Sequence, residues 1–202
     1  MRLLVRFYAN VSEHTVNDLI HWTTQQLAQH QGSNAPQEII IEISSPGGSS
    51  DHGLLAYNYL SQINIPKTTI GMGNVDSAAA LLFAAGNKRL ATESCRFLLH
   101  EATVTPKGDF NASKLSELAH LAARINSDYS DVIKRVTGSR RIGSKIKKGF
   151  IMTPTQARNE GLVTTVINTP YLKSLKDLQI ILIKNPVQPQ QQLPRTGNQT
   201  EL

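Results

Sequence analysis

The sequence predicts an α/β domain of repeated strand-helix units with one long helix projecting from it. Short β-branched and apolar runs such as EIIIEI recur along the chain, and each is followed by apolar residues at helical spacing. Strands that alternate with helices in this way pair largely in parallel. A further stripe, from Asn111 to about Val136, keeps the helical spacing without a break.

Leu3 to Tyr8 is an apolar run suited to a buried strand, and Val16, Leu19, Ile20, Thr23 and Leu27 then mark a helix that QGSNAPQ ends. Glu38 to Ile43 reads as a central strand, with Ala56, Tyr57, Leu60 and Ile63 on the inner face of the following helix. Thr68 to Met72 gives a strand, Ser77 to Ala85 a helix and Arg96 to His100 (RFLLH) another strand. The long stripe carries Leu115, Leu118, Ala119, Ala122, Ile125, Tyr129, Val132 and Val136. At about 1.5 Å per residue such a helix is on the order of 35 to 40 Å long, more than a compact domain of this size needs. Thr153-Pro154 opens a helix, and VTTVI after Gly161 reads as a strand.

A chain of 202 residues that is 40% hydrophobic can bury one substantial core. The expected domain runs over 1–184. The Pro/Gln-rich tail 185–202 (NPVQPQQQLPRTGNQTEL) is expected to be disordered. No segment approaches the roughly 18 consecutive apolar residues of a membrane span. The start MRLLVRFYANVSEH lacks the apolar core of a signal peptide, so a soluble, cytoplasmic protein is expected. Cys95 is the single cysteine and the six histidines show no ligand spacing, so neither a disulfide, a metal nor a cofactor is expected. The formal charge of +6 is uneven: Lys134, Arg135, Arg140, Arg141, Lys145, Lys147 and Lys148 crowd together with no acid among them. No aromatic residues interleave to stack bases, which favours a solvated face or an acidic neighbour over nucleic acid.

Candidate chemistry gathers where strands end. SSPGGSS, residues 44–50, places two glycines after a buried strand, where the backbone can approach a ligand and present N–H groups to an oxyanion. GNVDS ends a strand and opens a helix at Ser77, and RFLLH ends a strand at His100, a residue able to act as base and then acid. A serine hydroxyl needs such a base, and the tetrahedral intermediate needs donors aimed at its oxygen. Asp76 is expected to cap the helix that Ser77 enters, a preferred role for aspartate there.

With these segments in order, the sequence resembles the proteolytic subunit of the Clp protease, a serine peptidase of the ClpP/crotonase superfold. The resemblance runs from about Arg6 to Ile167, through EISSPGGSSDHGLLAYNYL, GMGNVDSAAALLFAAG, SCRFLLHEA, the long helix and TPTQARNEGLV. It implies Ser77 as nucleophile, His100 as general base, and Gly48 and Ala78 as the residues whose N–H groups form the oxyanion hole. It also implies that Ser49 and Ser50 begin a segment that pairs with an extended substrate. The substrate would be a peptide or unfolded polypeptide. The assembly would be a ring-shaped homo-oligomer with the long helix at the ring-to-ring contact.

The chain departs from the family in three respects. Counted back from Gly161, the triad aspartate falls at Gly149, directly after two lysines, so a Ser77/His100 dyad or an incomplete triad is expected, with Glu101, Asp109 and Glu160 as open candidates for a compensating acid. Asp76 stands where the family has a small residue. The chain begins almost at its first strand, so the pore-lining segment that contacts a Clp-type ATPase is expected to be missing, which argues against gating by such a partner. A Clp-like subunit that assembles without catalysing is the alternative that Gly149 favours. A crotonase-type enzyme acting on acyl-CoA shares the superfold, but the pairing of Ser77 with His100 argues against it.

Overall fold

The computed structural model describes residues 1–103, 108–109, 111–172 and 178–186. β1 (Arg2–Tyr8), β2 (Ile39–Ser45) and β3 (Lys67–Asp76) form the centre of one sheet and pair in parallel. α1 (Glu13–Gln29) connects β1 to β2, and α2 (Ser50–Gln62) connects β2 to β3. Leu3, Val5 and Phe7 alternate onto one face of the sheet with Ile39, Ile41 and Ile43, where Val16 and Leu19 of α1 and Ala56 and Leu60 of α2 close over them. All of these side chains are buried, as the period of two along a strand and 3.6 along a helix requires. Ser12 and Thr15 form a capping box at the start of α1.

After β3 the chain turns through Ser77 into α3 (Ala79–Ala84), which is wholly buried, and returns as β4 (Lys88–Thr92) and β5 (Arg96–Leu99). Both strands pair in parallel with β3, β4 along its first half and β5 along its last three residues. α4 (Ala112–Thr137) is the expected long helix, capped by Asn111, whose Oδ1 accepts from Lys114 N at 2.8 Å. Its 26 residues make it about 39 Å long. Ile125, Tyr129, Val132 and Ile133 bury its second half, whereas Leu115 and Leu121 in the first half are 51% and 47% exposed. The projection read from the sequence is therefore real. α5 (Ile142–Lys148), β6 (Phe150–Met152), α6 (Pro154–Asn159) and β7 (Thr165–Ile167) follow, and β6 is antiparallel to β5. As expected, Thr153 caps α6 and Pro154 begins it.

The path through the sheet runs β6-β5-β3-β2-β1, ending at β8 (Leu178–Lys184), with β4 and β7 joined to it through β3. The sequence reading leaves β4, α5, β6 and β8 unassigned. α5 holds itself in place with Ile142 and Ile146, one turn apart, inside the basic run. β8 pairs in parallel with β1 and buries Ile181 and Ile183, which puts the end of the domain at the sheet rather than in a loop. The tail from residue 187 lies outside the described residues; Asn185 still touches the domain, its Oδ1 accepting from Asn10 N at 2.8 Å. A second, smaller core of Leu4, Ile40, Ile70 and Leu90 sits on the other face of the sheet under Ile167, Tyr171 and Leu172. Among the described residues no helix is long and apolar enough to cross a membrane.

Candidate active site

The sheet delivers β2, β3 and β5 to one edge, and each ends in a candidate group. β2 leads into Pro46, Gly47 and Gly48. Val11 bonds Gly47 and Ser49 on either side, its N–H donating to Gly47 O and its carbonyl accepting from Ser49 N, each at 2.8 Å. That parallel bridge turns the Gly48 N–H away from Val11. Only glycine fits: a Cβ at Gly48, whose φ is +144°, would lie 2.2 Å from Val11 O. One at Gly47, with φ +87°, would lie 2.7 Å from Ser77 Cβ. The glycine pair thus brings the loop against the serine.

β3 ends at Asp76, and Ser77 follows with φ +54°. It is the one non-glycine residue with positive φ among the described residues. The left-handed region costs a side chain about 1 to 3 kcal/mol and persists only where the surroundings enforce it. Here they do. Ser77 N donates to Leu98 O on β5 at 2.6 Å, and Ser77 O accepts from Ala80 N at 3.0 Å and from the Tyr129 hydroxyl of α4 at 3.1 Å. Burial pushes the Tyr129 phenol above its ordinary pKa, so it stays a donor to that carbonyl. Ala78 is buried, and neither Ala78 N nor Gly48 N donates to a backbone acceptor among the described residues.

His100 follows β5, and its Nδ1 lies 2.7 Å from Glu101 O. A carbonyl only accepts, so Nδ1 is the donor, and in the neutral ring Nε2 is the nitrogen that carries the lone pair. Ser77, His100, Gly48 and Ser49 line one cleft of about 380 Å³, with Leu121 and Ile125 of α4 as its apolar wall. Ser50 also lines it, but Ser50 opens α2 and Ser49 caps that helix, its Oγ accepting from His52 N at 3.3 Å.

The expectation that Asp76 caps a helix is overturned. α3 begins at Ala79 with no side-chain cap, and it is only six residues long, so it brings little dipole to Ser77. Asp76 is instead the last residue of β3, buried, with its carboxylate accepting from Arg96 Nη2 at 2.7 Å, from Arg96 Nε at 3.2 Å and from Asn74 Nδ2 at 3.2 Å.

Gly149 does lie beside the candidate base. A Cβ built on it would be 3.6 Å from His100 Cβ, and nothing else would stand within 4 Å. Its backbone, φ +67° and ψ 129°, is one that side chains avoid. None of the candidate replacement acids is hydrogen-bonded to His100: Glu160 pairs with Lys145, Asp109 is exposed, and the Glu101 side chain faces a separate groove. That groove, about 640 Å³ between α4 and α5, takes up Lys134, Arg140 and Lys147 of the basic run. Sequence reasoning missed Arg96, Tyr129 and the Glu101 carbonyl, the first two because their partners are 20 and 52 residues away. The third has no signature in a sequence at all.

The chain is 27% identical over 171 residues to the ATP-dependent Clp protease proteolytic subunit 2 of Synechococcus sp. (strain CC9605), covering 83% of this chain and 86% of that one. Its fold matches a mutant of ClpP1 from Listeria monocytogenes with a TM-score of 0.64 at 24% identity, over 82% of this chain and 91% of the other. The sequence profile of the Clp protease family matches residues 3–170, and the chain belongs to that family.

Proposed function

We propose that this chain is a Clp-type serine peptidase that cleaves peptides or unfolded polypeptides through Ser77 and His100, with a backbone carbonyl in the place of the triad acid. The observation that carries the reading is the left-handed Ser77, enforced by β5 and α4, in the same cleft as a histidine whose Nδ1 proton is already fixed. A nucleophile on a strained strand-to-helix turn is exposed to substrate and poorly able to relax away.

In this mechanism His100 Nε2 takes the Ser77 Oγ proton as Oγ attacks the scissile carbonyl. The N–H groups of Gly48 and Ala78 receive the oxyanion, and Nε2 then returns the proton to the leaving amine before water resolves the acyl-enzyme. Ser77 Oγ and His100 are not hydrogen-bonded in the present arrangement, a looseness common in unliganded sites. The Glu101 carbonyl fixes the productive tautomer as an aspartate would, but as a neutral dipole it stabilises the imidazolium less. Turnover should therefore be slow.

The exposed Leu115 and Leu121 give α4 an apolar half through which copies of the chain would assemble into rings. A subunit that assembles without catalysing is the second reading, favoured by Gly149. A fluorophosphonate probe separates the two. The first reading expects labelling that Ser77→Ala removes; no labelling of folded, assembled wild-type protein would leave the second.

A further inference from the structure

Asp76 is the unusual element of this site: a carboxylate next to the nucleophile, on the chain but off the reaction. Burying an acid is costly unless it is paired and hydrogen-bonded, and one beside a developing oxyanion opposes it. Its partners show what it does. Arg96 begins β5, the strand that ends at His100, and holds the carboxylate through Nη2 at 2.7 Å and Nε at 3.2 Å. Asn74 Nδ2 donates to the same carboxylate at 3.2 Å, and Asn74 Oδ1 accepts from Ser44 Oγ at 3.0 Å. Ser44 lies on β2, just before the loop that holds Gly47 and Gly48.

The network spans one short joint and one interrupted joint of the sheet near the site. β3 and β5 share only the register Asn74↔Arg96, Val75↔Phe97 and Asp76↔Leu98. β2 and β3 lose register between Ile43 and Ser45, and Ser44 sits in that gap. The sequence makes room for the bridge: a Cβ at Gly73 would lie 2.8 Å from Ser44 Oγ. Three strands that end in the candidate donors, nucleophile and base are therefore tied together by side chains where their backbone ladders are short or broken.

We propose that Asp76, joined to Arg96 and through Asn74 to Ser44, is a positioning residue that holds Ser77 in its left-handed backbone and sets its place relative to the Gly48 loop and His100. The inference rests on the serine-peptidase reading, but its structural half is measurable without activity. Arg96 is mostly solvent-exposed on its outer side, so its guanidinium neutralises the carboxylate without filling the cleft.

The test is a set of variants: Asp76→Asn, Arg96→Ala, Arg96→Lys and the double Asp76→Asn, Arg96→Ala. The double variant leaves no buried charge unpaired and so guards against simple misfolding. Expected are a fall of ten- to a hundredfold in kcat for Asp76→Asn and Arg96→Ala with KM within twofold, and recovery to within threefold of wild type in Arg96→Lys. Hydrogen exchange of the Ser77 amide, bonded to Leu98 O, should quicken at least tenfold in the same two variants while the Val5 amide in β1 does not. If kcat per folded protomer and Ser77 exchange both stay within twofold of wild type in the double variant, the network only supports the sheet and the proposal falls. If wild-type protein hydrolyses nothing, the peptidase reading fails while the exchange data still decide whether Asp76 positions Ser77.

Discussion

The two halves of the candidate site are built to different standards. On the proposed nucleophile side, Ser77 is bonded to β5, α3 and α4, and the glycine loop lies so close that a Cβ at Gly47 would stand 2.7 Å from Ser77 Cβ. On the proposed base side, the His100 ring has one hydrogen-bond partner among the described residues, a backbone carbonyl one residue along, and Gly149 stands beside it. The proposed nucleophile is held from several sides, while the proposed base has a neutral carbonyl as its hydrogen-bond partner. The difference separates what preorganisation supplies from what a third charge supplies, since oxyanion donors and binding retain a residual rate when a triad member is lost.

The comparison breaks most severely at its centre. Ser77→Ala removes the nucleophile and is expected to abolish fluorophosphonate labelling and peptide hydrolysis. It should leave the melting temperature unchanged or slightly raised, because alanine is hardly better suited than serine to φ +54°. His100→Ala is expected to cost at least about 10⁴-fold in kcat, read by initial rates on a short fluorogenic peptide. Should His100→Ala cost less than tenfold, the base side contributes nothing and the contrast disappears.

Gly48→Ala tests the nucleophile side by steric means. Its Cβ would meet Val11 O at 2.2 Å at a φ of +144°, so the loop must move or the Val11 bridge must break. We expect a loss of about 2 to 4 kcal/mol in stability by urea denaturation, from strain and broken hydrogen bonds together. A kcat loss of about 10² or more should accompany it as one oxyanion donor is displaced. An alanine tolerated within 0.5 kcal/mol would show that the loop is not held as described.

Gly149→Asp sharpens the base side. The backbone there disfavours any side chain, so both Gly149→Asp and Gly149→Ala should lose about 1 to 3 kcal/mol, or roughly 2 to 10 °C in melting temperature for a chain of this size. Only the aspartate should raise kcat with little change in KM, because its carboxylate acts on the imidazolium formed in the transition state. The gain should fall well short of the 10⁴ attributed to a native triad acid, since the carboxylate must compete with Glu101 O for the Nδ1 proton. Equal kcat in the two variants would mean that His100 carries no charge worth stabilising.

Much of this molecule was legible because its signals are local. The runs at Leu3 to Tyr8 and Glu38 to Ile43 and the stripes on α1, α2 and α4 carry their own periodicity, and Ser77 and His100 stand at strand ends that the apolar pattern locates. β4 and β6, of five and three residues, are too short to show a period, and β8 reads as a strand only once β1 is seen to need a neighbour. Asp76 was misread because capping is a local rule and Arg96 is a tertiary partner. Local propensity yields when a buried carboxylate finds a guanidinium.

Cys95 offers the finest probe of the contrast, because it is a thiol placed by the fold under the nucleophile side. It is buried against Gly71, where a Cβ would lie 2.7 Å from Sγ, and it precedes the Arg96 that binds Asp76. Burial, with a smaller contribution from the Asp76 carboxylate, pushes its pKa up to about 12. A group bound more tightly to its proton in the folded state contributes stability that is whole below the unfolded pKa, near 9, and is lost as pH climbs toward about 12. Folded protein should therefore lose stability across that alkaline window, and Cys95→Ala should flatten the loss. Below it, buried Cys95 is alkylated by iodoacetamide only when its surroundings open, and separation of β3 from the adjoining β5 is one such opening, so a change of rate on untying β5 reports on that joint. Gly149→Ala strains the base side alone and should change that rate less than threefold, whereas Arg96→Ala, which unties β5 from Asp76, should raise it about tenfold or more. Equal acceleration in both variants would show that the two halves open together and that the site is a single cooperative unit.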